Sequence, residues 1–374
     1  MGFILQSAIK IGNFSFSGVH EVRIERSLHS YADKAFIKIP HVGVVKYKNS
    51  DVPQKVSMSD LFNDGDAVSI DLGYKPTVPT PGGGSTGLTM TTATGLSMTN
   101  MVNEFKGFVL RRNLNMPIEI ECEGYVRSLR LGQSFTYFFK HTTVKDLLNL
   151  ITKGDAKNAN TGINVICDVD IPILNLGMTK AAGVNVIDEI KKLTQNTVSI
   201  FFINPTTLWC GLTYTPYVGT ANVPNGNDPF GLGTVNYRLG WNTPRQNSLK
   251  QRTVLEPVQV IFKGLMATGQ RVTTEAQTIS LVRHETAVMN NIQSEPVMKL
   301  LAKEKQYRMN YVGYEGSISG FLQPYCSPGY QLNITDDNYK ERNGIYMCEG
   351  TKVTFGMGGA RRIVEVGPKI GFKP

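Results

Sequence analysis

The sequence contains one antiparallel β unit twice, at positions about 260 residues apart. Each copy has a glycine turn followed by three strands in which apolar and polar residues alternate, the period-two pattern of a half-buried β-strand. The first copy comprises the turn 63–66 and the strands 67–72, 106–110 and 118–122. The second copy comprises the turn 327–330 and the strands 331–334, 343–348 and 363–366. The repeat predicts two similar barrels in one chain, and three such chains supply enough barrels for a six-fold-like ring.

Composition fits a folded protein of several modules. The chain has 374 residues, of which 41% are hydrophobic and 18% charged, and a chain of this length can form two to four modules with sizeable cores. Apolar runs fall short of the ~20 residues that a membrane helix needs, so we expect no membrane contact. The formal charge is +9, but the basic residues are scattered. We therefore expect the doublets Arg111-Arg112 and Arg361-Arg362 to lie on solvated or interface faces rather than in a nucleic-acid site.

Residues with catalytic or metal-binding chemistry do not form a recognisable site. The five cysteines form no CxxC pair, and their odd number argues against a disulfide framework and favours a reducing compartment. The five histidines show no zinc-binding spacing. Residues 83–87 match G-x-S-x-G, but they lie in a Gly/Pro-rich loop and not between a strand and a helix. The sequence predicts no enzyme, no cofactor and no metal.

The predicted fold class is mainly β with an α+β insertion: two similar antiparallel, tube-like β-barrel domains plus a small mixed α+β domain. Residues 1–130 are assigned to the first barrel, with a Gly/Pro-rich flexible insertion at 75–103. The α+β domain is assigned to residues 131–197 and continues within 240–310. The second barrel is discontinuous and is assigned to residues 198–239 and 310–374.

Three helices are predicted in the α+β part. The first begins after Thr143, whose hydroxyl is suited to the N-cap position with Asp146 at N3. The second covers about 184–194, and the third begins at Ser294 with Pro296 in its first turn.

Short motifs in both halves resemble phage tail hub proteins. In the second half they are residues 235–242, 248–250, 311–318, 328–329, 343–346 and 361–363; in the first half, residues 64–66 and 105–108. The family is the baseplate hub of contractile tails, or late control protein D family, which is related to the N-terminal hub part of type VI secretion spike proteins. The insertion at 75–103 departs from the family pattern.

The resemblance implies a structural role in a virion tail baseplate, assembled in the bacterial host cytoplasm. It implies a homotrimer with pseudo-six-fold symmetry that adapts the hexameric tail tube to a trimeric central spike. The implied partners are the tail tube protein, the central spike protein, baseplate wedge or sheath-associated proteins, and the tape-measure protein. DNA would pass through the lumen with only transient, non-specific contact.

The resemblance also indicates which strands meet other subunits or the tube. Exposed strand edges can pair between neighbouring chains and thereby satisfy their backbone donors and acceptors. The candidate contact residues are Val68, Ile70, Phe108, Leu110, Leu332, Ile334, Tyr346, Ile363 and Val364.

Two other functions remain open at this point. One is the hub-like platform of a non-contractile tail tip. The other, from a different class, is a cell-wall hydrolase or a carbohydrate-binding tail component. A hydrolase needs a histidine or acid pair in a cleft, which the sequence does not indicate, and a sugar-binding module usually exposes tryptophan clusters, whereas this chain has only Trp209 and Trp241.

Overall fold

The computed structural model describes residues 3–16, 18–40, 44–45, 54–55, 61–76, 101–131, 135–153, 161–214, 230–245, 247–266, 268–275 and 283–371. The strands of the first half are β1 Phe3–Ile11, β2 Phe14–Phe16, β3 Glu21–Ser27, β4 Ser30–Ile39, β5 Val44–Val45, β6 Gln54–Lys55, β7 Ala67–Pro76, β8 Val102–Asn113, β9 Ile118–Glu123, β10 Phe135–Thr143, β11 Asn164–Cys167 and β12 Pro172–Ala181. The strands of the second half are β13 Ser199–Asn204, β14 Thr207–Gly211, β15 Thr234–Arg238, β16 Lys250–Arg252, β17 Val258–Leu265, β18 Arg271–Glu275, β19 Arg283–Val288, β20 Gly313–Gly320, β21 Gln331–Thr335, β22 Gly344–Gly356 and β23 Gly359–Gly371. The α-helices are α1 Val126–Arg130, α2 Val144–Lys153, α3 Gly183–Leu193 and α4 Glu295–Asn310, and a 3₁₀-helix covers Lys340–Arg342.

The first barrel consists of neighbouring antiparallel strands in the order β2-β1-β7-β8-β9-β4-β3. Its strands alternate because successive side chains point to opposite faces of a sheet. In β7, for example, Val68, Ile70 and Leu72 are buried in the barrel, while the residues between them are partly exposed. The predicted strand over 67–72 is confirmed.

The second barrel repeats this strand order. Its sheet runs β15-β21-β22-β23-β20-β16, so β15 corresponds to β1, β21 to β7, β22 to β8, β23 to β9, β20 to β4, and β16 to β3. One pairing differs: β15 runs parallel to β21, whereas β1 runs antiparallel to β7. The expected fold of two similar barrels is present.

Two local features show that the copies match residue by residue. In each copy, a turn glycine with positive φ donates its N–H to a carbonyl of the second strand: Gly65 to Val109 and Gly329 to Cys348. The same two strands then carry a register shift, between Val109 and Arg111 in β8 and between Cys348 and Gly350 in β22. A β-bulge bends a strand at a defined point, so an equivalent shift bends both sheets at the same place.

A strand of each barrel joins the two into one sheet. Strand β3, the last strand of the first barrel, pairs antiparallel with β22 of the second barrel, from Gly350 opposite Ser27 to Gly356 opposite Glu21. The core of the first barrel also contains Val353 of β22. The two barrels therefore share both a hydrogen-bonded ladder and part of a core.

The α+β part lies at one end of the first barrel. Its core consists of side chains from helices α1 to α4 and from the strands β12–β14 and β17. The hydroxyl of Tyr31, in β4, donates a hydrogen bond to Asp188 of α3 at 2.8 Å, and the ammonium group of Lys191 donates one to the His29 carbonyl at 3.1 Å. Both contacts involve the hairpin formed by β3 and β4, so this hairpin supports the α+β part.

The predicted helices are confirmed as α2, α3 and α4. The hydroxyl of Thr143 accepts a hydrogen bond from the backbone N–H of Asp146 at 3.1 Å, as the capping pattern predicts. Helix α4 begins after Ser294 and has Pro296 in its first turn, although the Ser294 side chain makes no capping hydrogen bond.

The structure corrects the assignment of one segment to the second barrel. Strands β13 and β14, which lie in the predicted range 198–239, form a three-stranded sheet with β11 of the α+β part, and Ile200 and Leu208 are buried in its core. The second barrel begins instead at β15. Strands β13 and β14 belong to the α+β part because they are apolar on both faces, as a sheet that is covered on both sides requires. In the predicted insertion 75–103, β7 continues to Pro76 and β8 begins at Val102, and residues 77–100 lie outside the described residues.

Candidate assembly surfaces

The strand residues predicted to contact other subunits lie mostly inside the barrels. The buried ones are Val68 and Ile70 in the first barrel and Leu332, Ile334, Tyr346 and Val364 in the second. Since these side chains form the two cores, their strands can offer a neighbour only backbone edges and the side chains of the opposite face. Leu110 is 36% exposed, and Phe108 and Ile363 are half-buried. A role of these nine residues in subunit contacts stays a prediction.

A buried ion pair connects the interiors of the two barrels. The Arg362 guanidinium, on β23, contacts the Glu104 carboxylate, on β8, with an Nη2–Oε1 distance of 2.5 Å. Arg362 also donates hydrogen bonds to the carbonyls of Leu322 and Cys326, and its guanidinium lies 5.0 Å from the centre of the Tyr325 ring. Arg362 is 1% exposed and Glu104 is 2% exposed. Because both groups are shielded from water, the charge of each is compensated by the other.

Both groups of this pair have perturbed pKa values. Burial raises the pKa of the Glu104 carboxyl, and the nearby Arg362 guanidinium offsets that rise only in part. Burial alone would lower the pKa of Arg362, but the Glu104 carboxylate outweighs this effect and raises it. We take the pair as ionised, because a guanidinium does not lose its proton in proteins and the short contact is typical of a charge-assisted hydrogen bond.

Arg362 differs from the sequence-based expectation that the 361–362 doublet is solvated or at an interface. Successive strand residues point to opposite faces, so Arg361 is exposed while Arg362 points inward beside Val364 and Val366. The alternation of inward and outward positions along this strand was the sequence signal that could have placed Arg362 inside the barrel. Nothing in the sequence indicated that Glu104 would lie opposite Arg362, because the two residues are far apart in the chain.

The loop between β20 and β21 forms a second set of contacts between the two barrels. Leu322 is fully buried in the core of the first barrel, although the loop belongs to the second. Its backbone N–H donates a hydrogen bond to the Tyr74 hydroxyl at 3.1 Å. Arg26 of β3 donates hydrogen bonds to Asp33 at 3.1 Å and to the Tyr325 hydroxyl at 3.3 Å. The junction is therefore a packed and hydrogen-bonded interface rather than a linker.

The outer face of the shared sheet carries alternating charges. Its cross-strand and neighbouring ion pairs are Arg23–Glu21, Lys38–Glu119, Arg111–Glu121 and Lys352–Glu365. Each of these positive charges has a carboxylate beside it. A polyanion binds through uncompensated positive charge, so these four ion pairs reduce the attraction of this face for DNA.

Two corresponding hairpins project from one end of the sheet. The β8–β9 hairpin exposes Met116 to 72% and the β22–β23 hairpin exposes Met357 to 83%. A row of paired residues runs from one hairpin to the other: Gly356 lies opposite Glu21, Glu21 opposite Lys38, and Lys38 opposite Glu119. Both tips therefore lie at the same end, away from the β3–β4 turn and the α+β part.

One cluster combines a buried phenol, two carboxylates and an exposed histidine. The Tyr214 hydroxyl donates a hydrogen bond to Glu349, while His29 lies 3.6 Å from the other carboxylate oxygen of Glu349. The backbone N–H of Tyr214 donates to Glu304. Although burial alone would raise the pKa of Glu349, hydrogen bonds from His29 and Tyr214 lower it. Tyr214 is 1% exposed, whereas the side chains of His29 and Glu349 are 52% and 26% exposed. The cluster links the second barrel to the α+β part.

Within the described ranges, no group of three or more His, Cys, Asp or Glu residues is arranged to hold a metal ion. No helix in the described part of the chain is long and apolar enough to cross a membrane. Residues 83–87, which match G-x-S-x-G, and His41 lie outside the described residues.

Among solved structures, the whole fold is similar to that of phage tail proteins. The tail protein from Neisseria meningitidis MC58 matches over 97% of this chain and 96% of its own, with a TM-score of 0.59 and 12% identity. The 43 kDa tail protein of prophage MuSo2 from Shewanella oneidensis matches over 97% and 98%, with a TM-score of 0.57 and 13% identity. The chain has the fold of a phage tail protein.

A secretion-system component shares this fold. The c3393 protein of E. coli, described as a component of the type VI secretion system with structural similarity to the T4 tail proteins gp27 and gp5, matches over 98% of this chain and 79% of its own. The TM-score is 0.50 and the identity 10%. No protein-family model matches the sequence, and no curated protein matches it. The fold expected from the resemblance is thus confirmed by structure.

The Arg362–Glu104 pair gives a stability prediction. Arg362→Met leaves the Glu104 carboxylate buried without its partner, so we expect it to lower the free energy of unfolding by about 3–5 kcal/mol. The double variant Glu104→Met/Arg362→Met should recover much of this loss, because neither charge then remains buried alone. Urea unfolding followed by circular dichroism measures the free energy of unfolding of the single and the double variant.

The control is Arg361→Met, which removes the neighbouring arginine from the exposed face of the same strand and should have a much smaller effect. An Arg362→Met variant as stable as Arg361→Met would contradict the proposed importance of the buried pair.

Proposed function

We propose that this chain is the baseplate hub of a phage or phage-like contractile injection particle. It forms a homotrimer whose six barrels build a ring with pseudo-six-fold symmetry. The ring adapts the hexameric tail tube to the trimeric central spike and surrounds the channel through which the genome passes. The main observation in support is that one chain contains the same strand order twice, fused into a single sheet.

The duplication supports the trimer for a geometric reason. Closed rings arise when one contact repeats around an axis. A chain with two equivalent barrels contributes two positions of a six-membered ring, while the chains themselves obey only three-fold symmetry. Such a ring presents six similar surfaces to a hexamer and three identical ones to a trimer. The fold shared with tail proteins supports the placement in a virion tail, assembled in the host cytoplasm.

The hairpin tips are the proposed contact with the tail tube protein. In the trimer, three copies of Met116 and three of Met357 would alternate around one end of the ring. Exposed apolar side chains in regular array mark protein contact sites. The α+β part, at the opposite end of the first barrel, would face the spike and the baseplate wedge or sheath-associated proteins.

The charge-balanced outer face of the shared sheet is the proposed channel lining. Paired charges keep the wall hydrated while leaving little net positive charge to hold DNA. This suits the passage of DNA and of the tape-measure protein, both of which must move through without being retained.

The mass of the native particle tests the trimer. We expect the purified chain, of 41.3 kDa, to give a species of three protomer masses in native mass spectrometry, either alone or with its spike protein. A monomer at all concentrations, both alone and with the spike protein, would contradict the hub proposal.

Charged substitutions at the hairpin tips test the tube contact. Met116→Asp/Met357→Asp should leave the trimer intact and weaken binding to the tail tube protein by at least tenfold, because burying one methionine contributes about 1.5–3 kcal/mol. Biolayer interferometry with immobilised tube protein measures the affinity.

Leu255→Asp is the matched control, since Leu255 is 93% exposed in the loop between β16 and β17. Tube binding that survives the double substitution, or that Leu255→Asp weakens equally, would exclude the tips as the contact.

A further inference from the structure

We propose that Cys167 and Cys210 form a site of reversible oxidation, at which a small disulfide such as oxidised glutathione converts the two thiols into one intrachain disulfide. All five cysteines of the chain are free thiols in the structure. The bond would link two strands of the α+β part covalently. The reaction takes place within one chain, so it does not depend on the proposed ring.

The backbone places the two cysteines directly opposite each other. Strand β11 pairs parallel with β14, and Cys167 lies opposite Cys210 at the end of this ladder. The backbone N–H of Asp168 donates a hydrogen bond to the Cys210 carbonyl at 2.9 Å, which fixes the register at this point. Neighbouring strands lie about 4.7–4.9 Å apart, within the Cα–Cα range of about 4.4–6.8 Å in which disulfides form.

Both side chains point to the same face of the sheet. Cys210 is buried in the core of the α+β part, and Cys167 packs against that core. Ile166, the residue before Cys167, points to the opposite face and is 49% exposed. The two sulfur atoms can therefore be joined without a change of register.

The two thiols already interact in the reduced chain. They form a hydrogen bond, which lowers the pKa of Cys167 and raises the pKa of Cys210. Burial opposes this change at Cys167 without cancelling it, and burial raises the pKa of Cys210 further. The thiolate is the reactive form of cysteine, so Cys167 is the better nucleophile of the two.

Access from solvent favours the same residue. In the described part of the chain, β11 is an outer strand of its three-stranded sheet, and Cys167 is partly exposed whereas Cys210 is fully buried. The other three cysteines are buried in the cores of the two barrels: Cys122, Cys326 and Cys348. A dissolved disulfide therefore meets Cys167 first.

The oxidation is a pair of thiol–disulfide exchanges. The Cys167 thiolate attacks one sulfur of glutathione disulfide, the S–S bond breaks, and one glutathione thiolate leaves while the other half stays on Cys167. Cys210 then loses its proton and attacks the Cys167 sulfur, which expels the second glutathione thiolate. The two cysteines lose two electrons and two protons, and one glutathione disulfide takes them up to become two glutathione thiols.

The compartment decides which form the chain adopts. A reducing cytoplasm keeps thiols reduced, whereas disulfides form and persist in oxidising surroundings. The chain would fold with both thiols free and gain the bond after release from the cell. The bond holds β11 to β14 and closes a loop of about 40 residues, which restricts the unfolded chain and so stabilises the folded one.

Peptide mapping of the whole chain tests the site. The folded protein is incubated with oxidised glutathione, its remaining thiols are alkylated in urea, and trypsin digestion follows without reductant. Lys180 and Lys191 lie between the two cysteines, so the bond joins two separate peptides. We expect a linked Cys167–Cys210 peptide pair that reductant separates, with no glutathione retained and the other three cysteines recovered as alkylated thiols.

Two variants distinguish the attacking thiol from the resolving one. Cys210→Ala should retain one glutathione on Cys167, because no second thiol is present to expel it. Cys167→Ala should take up no glutathione, because Cys210 is buried. The matched control is Cys122→Ala, which removes a buried cysteine of the first barrel and should leave the Cys167–Cys210 bond forming as in the wild type.

Urea unfolding followed by circular dichroism measures the effect of the bond on stability. Oxidation should raise the urea midpoint of the wild-type chain. The midpoint of Cys210→Ala should be the same before and after treatment with oxidised glutathione, because this variant cannot form the bond.

Three results would overturn the proposal. In the first, both cysteines of the folded wild-type chain are still alkylated after treatment with oxidised glutathione. In the second, the wild-type chain keeps glutathione on Cys167. In the third, the linked peptide appears only when the oxidation is done in urea, so that the native geometry does not direct it. The wild-type map decides even if a variant fails to fold, and each of these results leaves the hub proposal standing.

Discussion

The architecture depends on the backbone hydrogen bonds between β3 and β22. This ladder joins the two barrels into one continuous sheet, so they are not separate domains connected only by a linker. Because the register of a strand pair fixes which side chains face which side, the ladder also sets the rotation of one barrel relative to the other. The proposed ring of six barrels needs this rotation to be the same in every chain, and a backbone ladder defines it more rigidly than side-chain contacts at a surface would.

Polar groups buried at the same junction add specificity. An ion pair in a protein interior contributes little net stability compared with apolar packing, but it penalises arrangements in which either charge loses its partner. The pair formed by Arg362 and Glu104 joins β23 to β8, and the Leu322 carbonyl, which also accepts from Arg362, lies in a loop whose leucine side chain packs into the other barrel. These contacts are satisfied together only when both barrels have their observed relative position. We therefore regard them as the element that excludes alternative packings.

Local patterns in the sequence predicted much of this fold. The alternation over 67–72 and 331–334, the turn glycines Gly65 and Gly329, and the cap at Thr143 each act through neighbouring residues, so they could be recognised without the structure. Features of the fold that join distant segments could not be recognised in this way. The parallel pairing of β15 with β21 and the placement of β13 and β14 in the α+β part depend on contacts between distant segments. Similarly, the predicted contact residues were chosen for being apolar in strands, and in most of them the same property places the side chain in a barrel core.

The central claim is that one chain supplies two equivalent positions of a ring. Electron cryomicroscopy of the purified oligomer tests this most directly. The account predicts three-fold symmetric particles whose axial projections show six similar lobes around a central opening, with each chain contributing two adjacent lobes. Particles with three lobes, with two-fold symmetry, or with the two barrels of a chain at unequal distances from the axis would contradict it.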